Sequence, residues 1–236
     1  MMRHIDHLVV AVHDLDAAGA EYEALGLQVG AVNRHPWGTE NRIIQFRRSF
    51  IELITVGAGA DIPPHAPGRF SFGAFVRDYL EHREGLAMLV LGSTDAKADA
   101  AQFAADNIGA FDTFHFARSG RNADGAETRV AFTLAFAEDP LASDAGFFTC
   151  QQHFPEAFWN PRQQVHPNGA TDITRVTFAA PDPDAHRPFL QAFTGTDRLV
   201  ALEPGPRACL TGFTITAPAA RTVSLRGTDI TFEATP

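Results

Sequence analysis

Glu52 lies inside "FIELITV", an otherwise apolar run. Burying a carboxylate there is costly unless a cation, a metal or a cluster of donors answers it. Arg42 and Arg47 are the cations nearest in sequence, so a plain salt bridge is one account of it. His7 sits in "IDHLVVAV", whose alternation sets His7, Val9 and Ala11 on one face and Leu8, Val10 and Val12 on the other. Packing the all-apolar face under a helix turns His7 the opposite way. The same reasoning applied to Ile51 and Leu53 turns Glu52 that way too. An imidazole and a carboxylate on neighbouring strands make half of a divalent-metal site. A lone strand histidine is otherwise a hydrogen-bonded core residue.

The other chemically active stretch is "FFTCQQHFPEAFWNP", Phe147 to Pro161. Two registers are open. Either Thr149, Gln151 and His153 face the site, and His153 supplies a third ligand, or Phe148, Cys150 and Gln152 face it and line it with a thiol and an amide. Cys150 as a nucleophile would need a nearby base and a depressed pKa; a small buried core residue is the simpler reading. "HPWGTENR", His35 to Arg42, holds the turn-formers Pro36, Gly38 and Asn41. It is either a plain hairpin connection or a rim that sets Trp37, Asn41 or His35 over a ligand. "RSGRNADG", Arg118 to Gly125, reads as a solvated hairpin loop, with an anion grip by its arginines as the alternative. "VHPNGA" is a turn with His166 exposed.

These residues need elements to position them, and the elements repeat. "IDHLVVAV" is a strand, Asp14 or Asp16 a helix cap, and Ala18, Tyr22 and Leu25 a helical stripe that Gly26 stops. Extended runs follow at 27–33, 42–47 and 50–56. The order returns with "GLAMLVLG", a cap at Ser93 or Thr94, a stripe of Ala100, Phe103, Ala104 and Ile108 ended by Gly109, and three more strands. A third, looser unit starts at "ITRVTFAA", with a short helix beginning near Asp184. The units divide as 1–57, a linker at 58–84, 85–153, a loop at 154–171, and 172–236. None is large enough to bury a sheet face alone, so they share a core.

This order resembles the vicinal oxygen chelate superfamily and, more narrowly, its glyoxalase-like domain family. "DHLVVAV", "WGTENRIIQF", "FIELI" and the 147–161 stretch running on to "VHPNGA" carry the likeness. The resemblance implies an α+β fold in which βαβββ modules build a curved mixed sheet around a cup. It also places metal ligands on the first and last strands of each module, at His7 and Glu52 here. The chain departs from the pattern in its other units, where Met88 and Arg175 stand at the positions matching His7.

Composition closes off other classes. A net charge of −9 disfavours a non-specific nucleic-acid binder, and no apolar run approaches a membrane span of ~20 residues. Two isolated cysteines, Cys150 and Cys209, form no disulfide framework, so a reducing cytoplasm is expected. No nucleotide or flavin signature occurs. The expected partner is a small molecule, and the resemblance allows a homodimer. The leading expectation is a metal-dependent lyase, isomerase or dioxygenase-like enzyme acting on a small oxygenated substrate. In it His7, Glu52 and His153 hold a divalent ion, and Glu52 and His153 serve catalysis. Trp37, Asn41, Gln151, Gln152, Phe158 and Trp159 orient the substrate and close the pocket. The alternatives are a metal-free binding or sequestering protein of the same fold, and a partner-binding protein with a plugged cup.

Overall fold

A computed structural model describes residues 3–121 and 127–234. The first module runs β1 (Ile5–Ala11), α1 (Leu15–Ala24), β2 (Asn33–Arg34), β3 (Thr39–Gln45) and β4 (Phe50–Val56). Asp14 caps α1, its Oδ1 accepting from the backbone N–H groups of Asp16 at 3.0 Å and Ala17 at 2.9 Å. Gly26 ends the turn at φ +83°, a conformation that costs other residues a clash at Cβ. Of the expected 27–33 extended run only Asn33 pairs as a strand, in the two-residue β2.

Next comes α2 (Phe72–Leu80), a helix inside the segment expected to be a linker. Its Phe72, Val76, Tyr79 and Leu80 are buried against Val9, Met88 and Val90. The second module repeats the order as β5 (Gly85–Gly92), α3 (Ala96–Ala105), β6 (Phe114–Arg121), β7 (Glu127–Ala137) and β8 (Gly146–Gln152). Asp95, rather than Ser93 or Thr94, caps α3 by accepting from Lys97 and Ala98. The helix stops at Ala105, short of Gly109, because Asn107 turns left-handed at φ 56°. Of the loop read at 118–125, Arg118 to Arg121 belong instead to β6, and 122–125 lie outside the described residues.

The two modules join edge to edge into one curved eight-stranded sheet, ordered β2-β3-β4-β1-β5-β8-β7-β6. Within each module the first and last strands pair in parallel, β1 with β4 and β5 with β8. Between modules β1 and β5 pair antiparallel. Leu8, Val10, Val12, Ile51 and Leu53 share the helix-side core with Ala18 and Tyr22 of α1. Val9, Ile54, Val90 and Phe148 face the concave side.

After a loop holding the one-turn helix α4 (Pro155–Phe158), the chain forms β9 (Asp172–Ala180), α5 (Arg187–Thr194), β10 (Val200–Pro204), β11 (Cys209–Ala217), β12 (Arg221–Leu225) and β13 (Thr228–Ala234). Here the strand after the helix pairs directly and in parallel with the first strand, giving the order β10-β9-β11-β13-β12. This topology differs from that of the two modules. The separate five-stranded sheet packs on the helix side of the large sheet: Phe147 meets Phe189 at 4.8 Å and Phe193 at 5.5 Å between ring centroids. Arg175 is exposed on β9, far from any role equivalent to His7. Among the described residues no helix is long and apolar enough to cross a membrane.

Candidate functional site

The concave face of the first module gathers the polar residues. Parallel pairing sets Phe50 opposite His7 and Glu52 opposite Val9, so His7 and Glu52 project from adjacent strands onto the same surface. Asn41 and Ile43 reach it from β3, where Ile43 pairs with Glu52. His35 and Trp37 fold over it from the β2–β3 connection, stacked at 4.4 Å. The second module closes the space with Phe116, Phe132, Phe148 and Cys150, and α2 adds Phe72. The cavity measures about 50 Å³. At ~10–15 Å³ per water position, that admits only a handful of atoms.

Glu52 is 5% exposed, and its carboxylate meets Asn41 Nδ2 in a hydrogen bond. Its neighbours among ionisable groups are His7 Nε2, 4.0 Å from Oε2, and His35 Nε2, 3.7 Å from Oε1. Neither arginine suggested by sequence reaches it. Arg42 turns to the other face and pairs with Asp16, and Arg47 is exposed. The plain salt bridge is therefore absent among the described residues.

Both imidazoles present a defined nitrogen to this carboxylate. Asp6 is the extra residue of a bulge in β1, since Ile5 and His7 face the consecutive residues Leu91 and Val90. The bulge brings Asp6 Oδ2 to 2.7 Å from His7 Nδ1, and Gln152 Nε2 donates to Asp6 Oδ1 at 2.8 Å. An ionised carboxylate only accepts, so the His7 proton sits on Nδ1 and Nε2 faces Glu52 with its lone pair in the neutral ring. His35 Nδ1 lies 2.8 Å from the Thr39 hydroxyl, and its Nε2 is 3.3 Å from the Asn41 amide. Burial pulls the His35 pKa down to about 4, with Glu52 opposing the shift, so the ring is neutral at neutral pH. Burial also pushes the Cys150 thiol well above its usual range, helped by the charges of Asp6 and Glu52, so it stays protonated.

The 147–153 strand shows Phe148 and Cys150 to the cavity. Gln151 points to the helix side, where it accepts from Ala96 N–H and donates to the Thr94 carbonyl at the start of α3. His153 is exposed, its Nε2 2.7 Å from the Thr133 hydroxyl that also contacts His115. The structure thus brings His7, Glu52, Trp37, Asn41 and Phe158 together and leaves His153 and Gln151 apart. Trp159 and Gln152 line a separate surface pocket with Asp6, Arg47 and Arg48. His166, expected to be exposed, is 5% exposed: its Nδ1 accepts from Gln28 N–H and its Nε2 donates to the Gln45 carbonyl.

Sequence reasoning passed over Asp6, Phe116 and Phe132, and it weighed Arg118 only as part of a hairpin loop whose arginines could grip an anion. Alternation along "TFHFARS" sets Phe114, Phe116 and Arg118 on one face, which was the available signal. His35 was considered only as a rim residue.

Donors suited to a divalent ion are present. Two ligands each ~2.0–2.2 Å from one ion lie at most about 4.4 Å apart. Taken pairwise, Glu52 falls inside that limit with His7, 4.0 Å from Oε2, and with His35, 3.7 Å from Oε1. Among the described residues, the three donors that all lie within 4.8 Å of one another are those of Asp6, His7 and Cys150.

The profile of the glyoxalase-like domain family matches residues 5–194. No curated protein matches the chain in sequence. A hypothetical protein from Staphylococcus aureus superposes with a TM-score of 0.78 at 13% identity, covering 98% of this chain and 99% of the other. The Mn(II)-bound glyoxalase from Novosphingobium aromaticivorans gives 0.56 at 10% identity over 99% of this chain and 83% of its own. A mutant 4-hydroxymandelate synthase from Streptomyces coelicolor gives 0.55 at 12% identity over 92% and 71%. At these identities the likeness is one of fold. With the family profile spanning both modules and the curved sheet built from them, the chain belongs to the glyoxalase-like domain family of the vicinal oxygen chelate superfamily.

Proposed function

We propose that the chain is a small-molecule enzyme of the vicinal oxygen chelate type, in which His7, Glu52 and His35 hold a divalent ion inside the cup. One observation carries this reading: Glu52 is a buried carboxylate flanked by two imidazole nitrogens, with no lysine or arginine within 4.0 Å among the described residues. A bare buried carboxylate is costly, and a cation answers that cost. The Asp6–His7 pair supports it, because a carboxylate bonded to the far nitrogen orients and strengthens a metal-binding imidazole. The ion, when bound, would polarise a substrate oxygen as a Lewis acid.

The chain's own groups would do the rest. Asn41 fixes the Glu52 carboxylate, and Glu52 is the base placed to accept a proton from the substrate. Trp37 Nε1 and Asn41 Oδ1 are buried without partners and are free to bond a ligand. The aromatic wall excludes water and so strengthens each polar contact. Lyase, isomerase and dioxygenase chemistry all fit such a site. Metal analysis of protein purified without chelators tests the reading: about one divalent ion per chain is expected, lost in His7→Ala and His35→Ala and kept in His153→Ala. Full metal content in His7→Ala would sink the ligand assignment.

A metal-free binding protein is the second reading. It is favoured by the second module, whose cavity-lining residues include Phe116, Phe132, Leu134 and Phe148 but no imidazole or carboxylate. Thermal stabilisation by small organic acids and by no divalent ion would select it.

A further inference from the structure

Arg118 is the one permanently charged cation among the described residues that line the cavity. It stands on β6 opposite Val130, across the sheet from Glu52. Together with Ile43 and Phe158 it also lines an outer groove of about 420 Å³, bounded further by Asn33, Gln45 and Val130. Its guanidinium therefore occupies the threshold between a small inner chamber and a larger outer one.

Other part-buried arginines of the chain have anions beside them. Arg3 pairs with Asp99, Arg42 with Asp16, and Arg226 with Glu21 and Glu84. Among the described residues no carboxylate lies within 4.0 Å of Arg118. Burial lowers its pKa, and the one charge opposing that shift is the more distant Glu52. A desolvated guanidinium without a contact anion is costly to keep. Its flat fork of donors matches the two oxygens of a carboxylate. One positive charge without a second cation suits a monoanion better than a phosphate dianion. The surrounding Phe116, Phe132 and Phe158 suit an apolar substituent.

We propose that the site takes a small monocarboxylate with an apolar substituent, its carboxylate held by Arg118 at the threshold, and that Arg118 is the specificity-determining residue. The proposal rests on the reading of the cup as the substrate site, and it does not require the metal. Calorimetric titration of chelator-treated protein with phenylacetate, phenylacetamide, phenyl phosphate and butyrate tests it. The intact protein should bind phenylacetate about tenfold or more tighter than the isosteric amide, the margin of one charge-assisted contact. Arg118→Gln should lose that preference while its amide affinity stays unchanged, and Arg118→Lys, which preserves the charge, should retain part of it. Glu52→Gln should still bind phenylacetate, so a failure of the metal reading would leave this result standing. Equal affinity for acid and amide would overturn the proposal. So would tighter binding of phenyl phosphate, undiminished acid binding by Arg118→Gln, or refusal of both carboxylates.

Discussion

Glu52 is placed where stability and function pull apart. Replacing it by glutamine removes a buried charge while preserving shape and the contact with Asn41. The metal-free Glu52→Gln protein is expected to be more stable by ~1 kcal/mol and to lose divalent-ion binding. Paired urea titrations and metal analyses check both halves. His35 gives a pH signature. Its folded pKa of about 4 lies below the ordinary 6.5, so the unfolded chain takes up a proton first as pH falls. The stability held above pH 6.5 is then lost progressively between about 6.5 and 4. The loss amounts to roughly 3 kcal/mol at ~1.4 kcal/mol per pKa unit. His166 adds to the same trend, since burial lowers its pKa as well. Chemical denaturation of chelator-treated protein at pH 7.5 and 4.5 should show the drop, and His35→Asn should flatten it by about that amount.

At the scale of single elements, the bulge in β1 and the hairpin after β2 convert an ordinary sheet face into a site. The bulge turns Asp6 onto His7. Asp6→Asn preserves the volume but weakens the orienting contact, and is expected to cut metal affinity about 10- to 100-fold with little change in melting temperature. Competition with a fluorescent chelator measures it. The helix α2 fills the concave face beside β5, around Met88 and Val90. The cup is thereby reduced to the half beneath the first module, which explains why Met88 can occupy the position matching His7 without emptying the site. That half was legible in the sequence, because strict alternation in β1 and β4 fixes which side chains share a face. In β8 alternation left two registers open, and the pairing with β5 and β7 chose Phe148 and Cys150 for the cavity.

For the whole molecule, the third unit acts as a cover on the back of the large sheet. Phe193 is fully buried and lies between Phe103 of α3 and Phe147 of β8. Phe193→Ala should cost about 3–5 kcal/mol while leaving metal stoichiometry intact in the folded fraction. A chain ending at Thr171 would expose the face now shared with Phe178 and Phe213, and should aggregate where the full chain stays monodisperse in light scattering.

The sequence by itself determined the two repeated modules, the helix caps to within a residue or two, and the facing of His7 and Glu52. These depend on local periodicity, which a linear pattern carries. Only the tertiary structure decided that His35 and Arg118 join them, that His153 does not, and that the third unit adopts its own topology behind the sheet. Those outcomes depend on which strands meet. The antiparallel join of β1 and β5, the position of α2 and the curl of β6 towards β3 arise from packing between segments far apart in the chain.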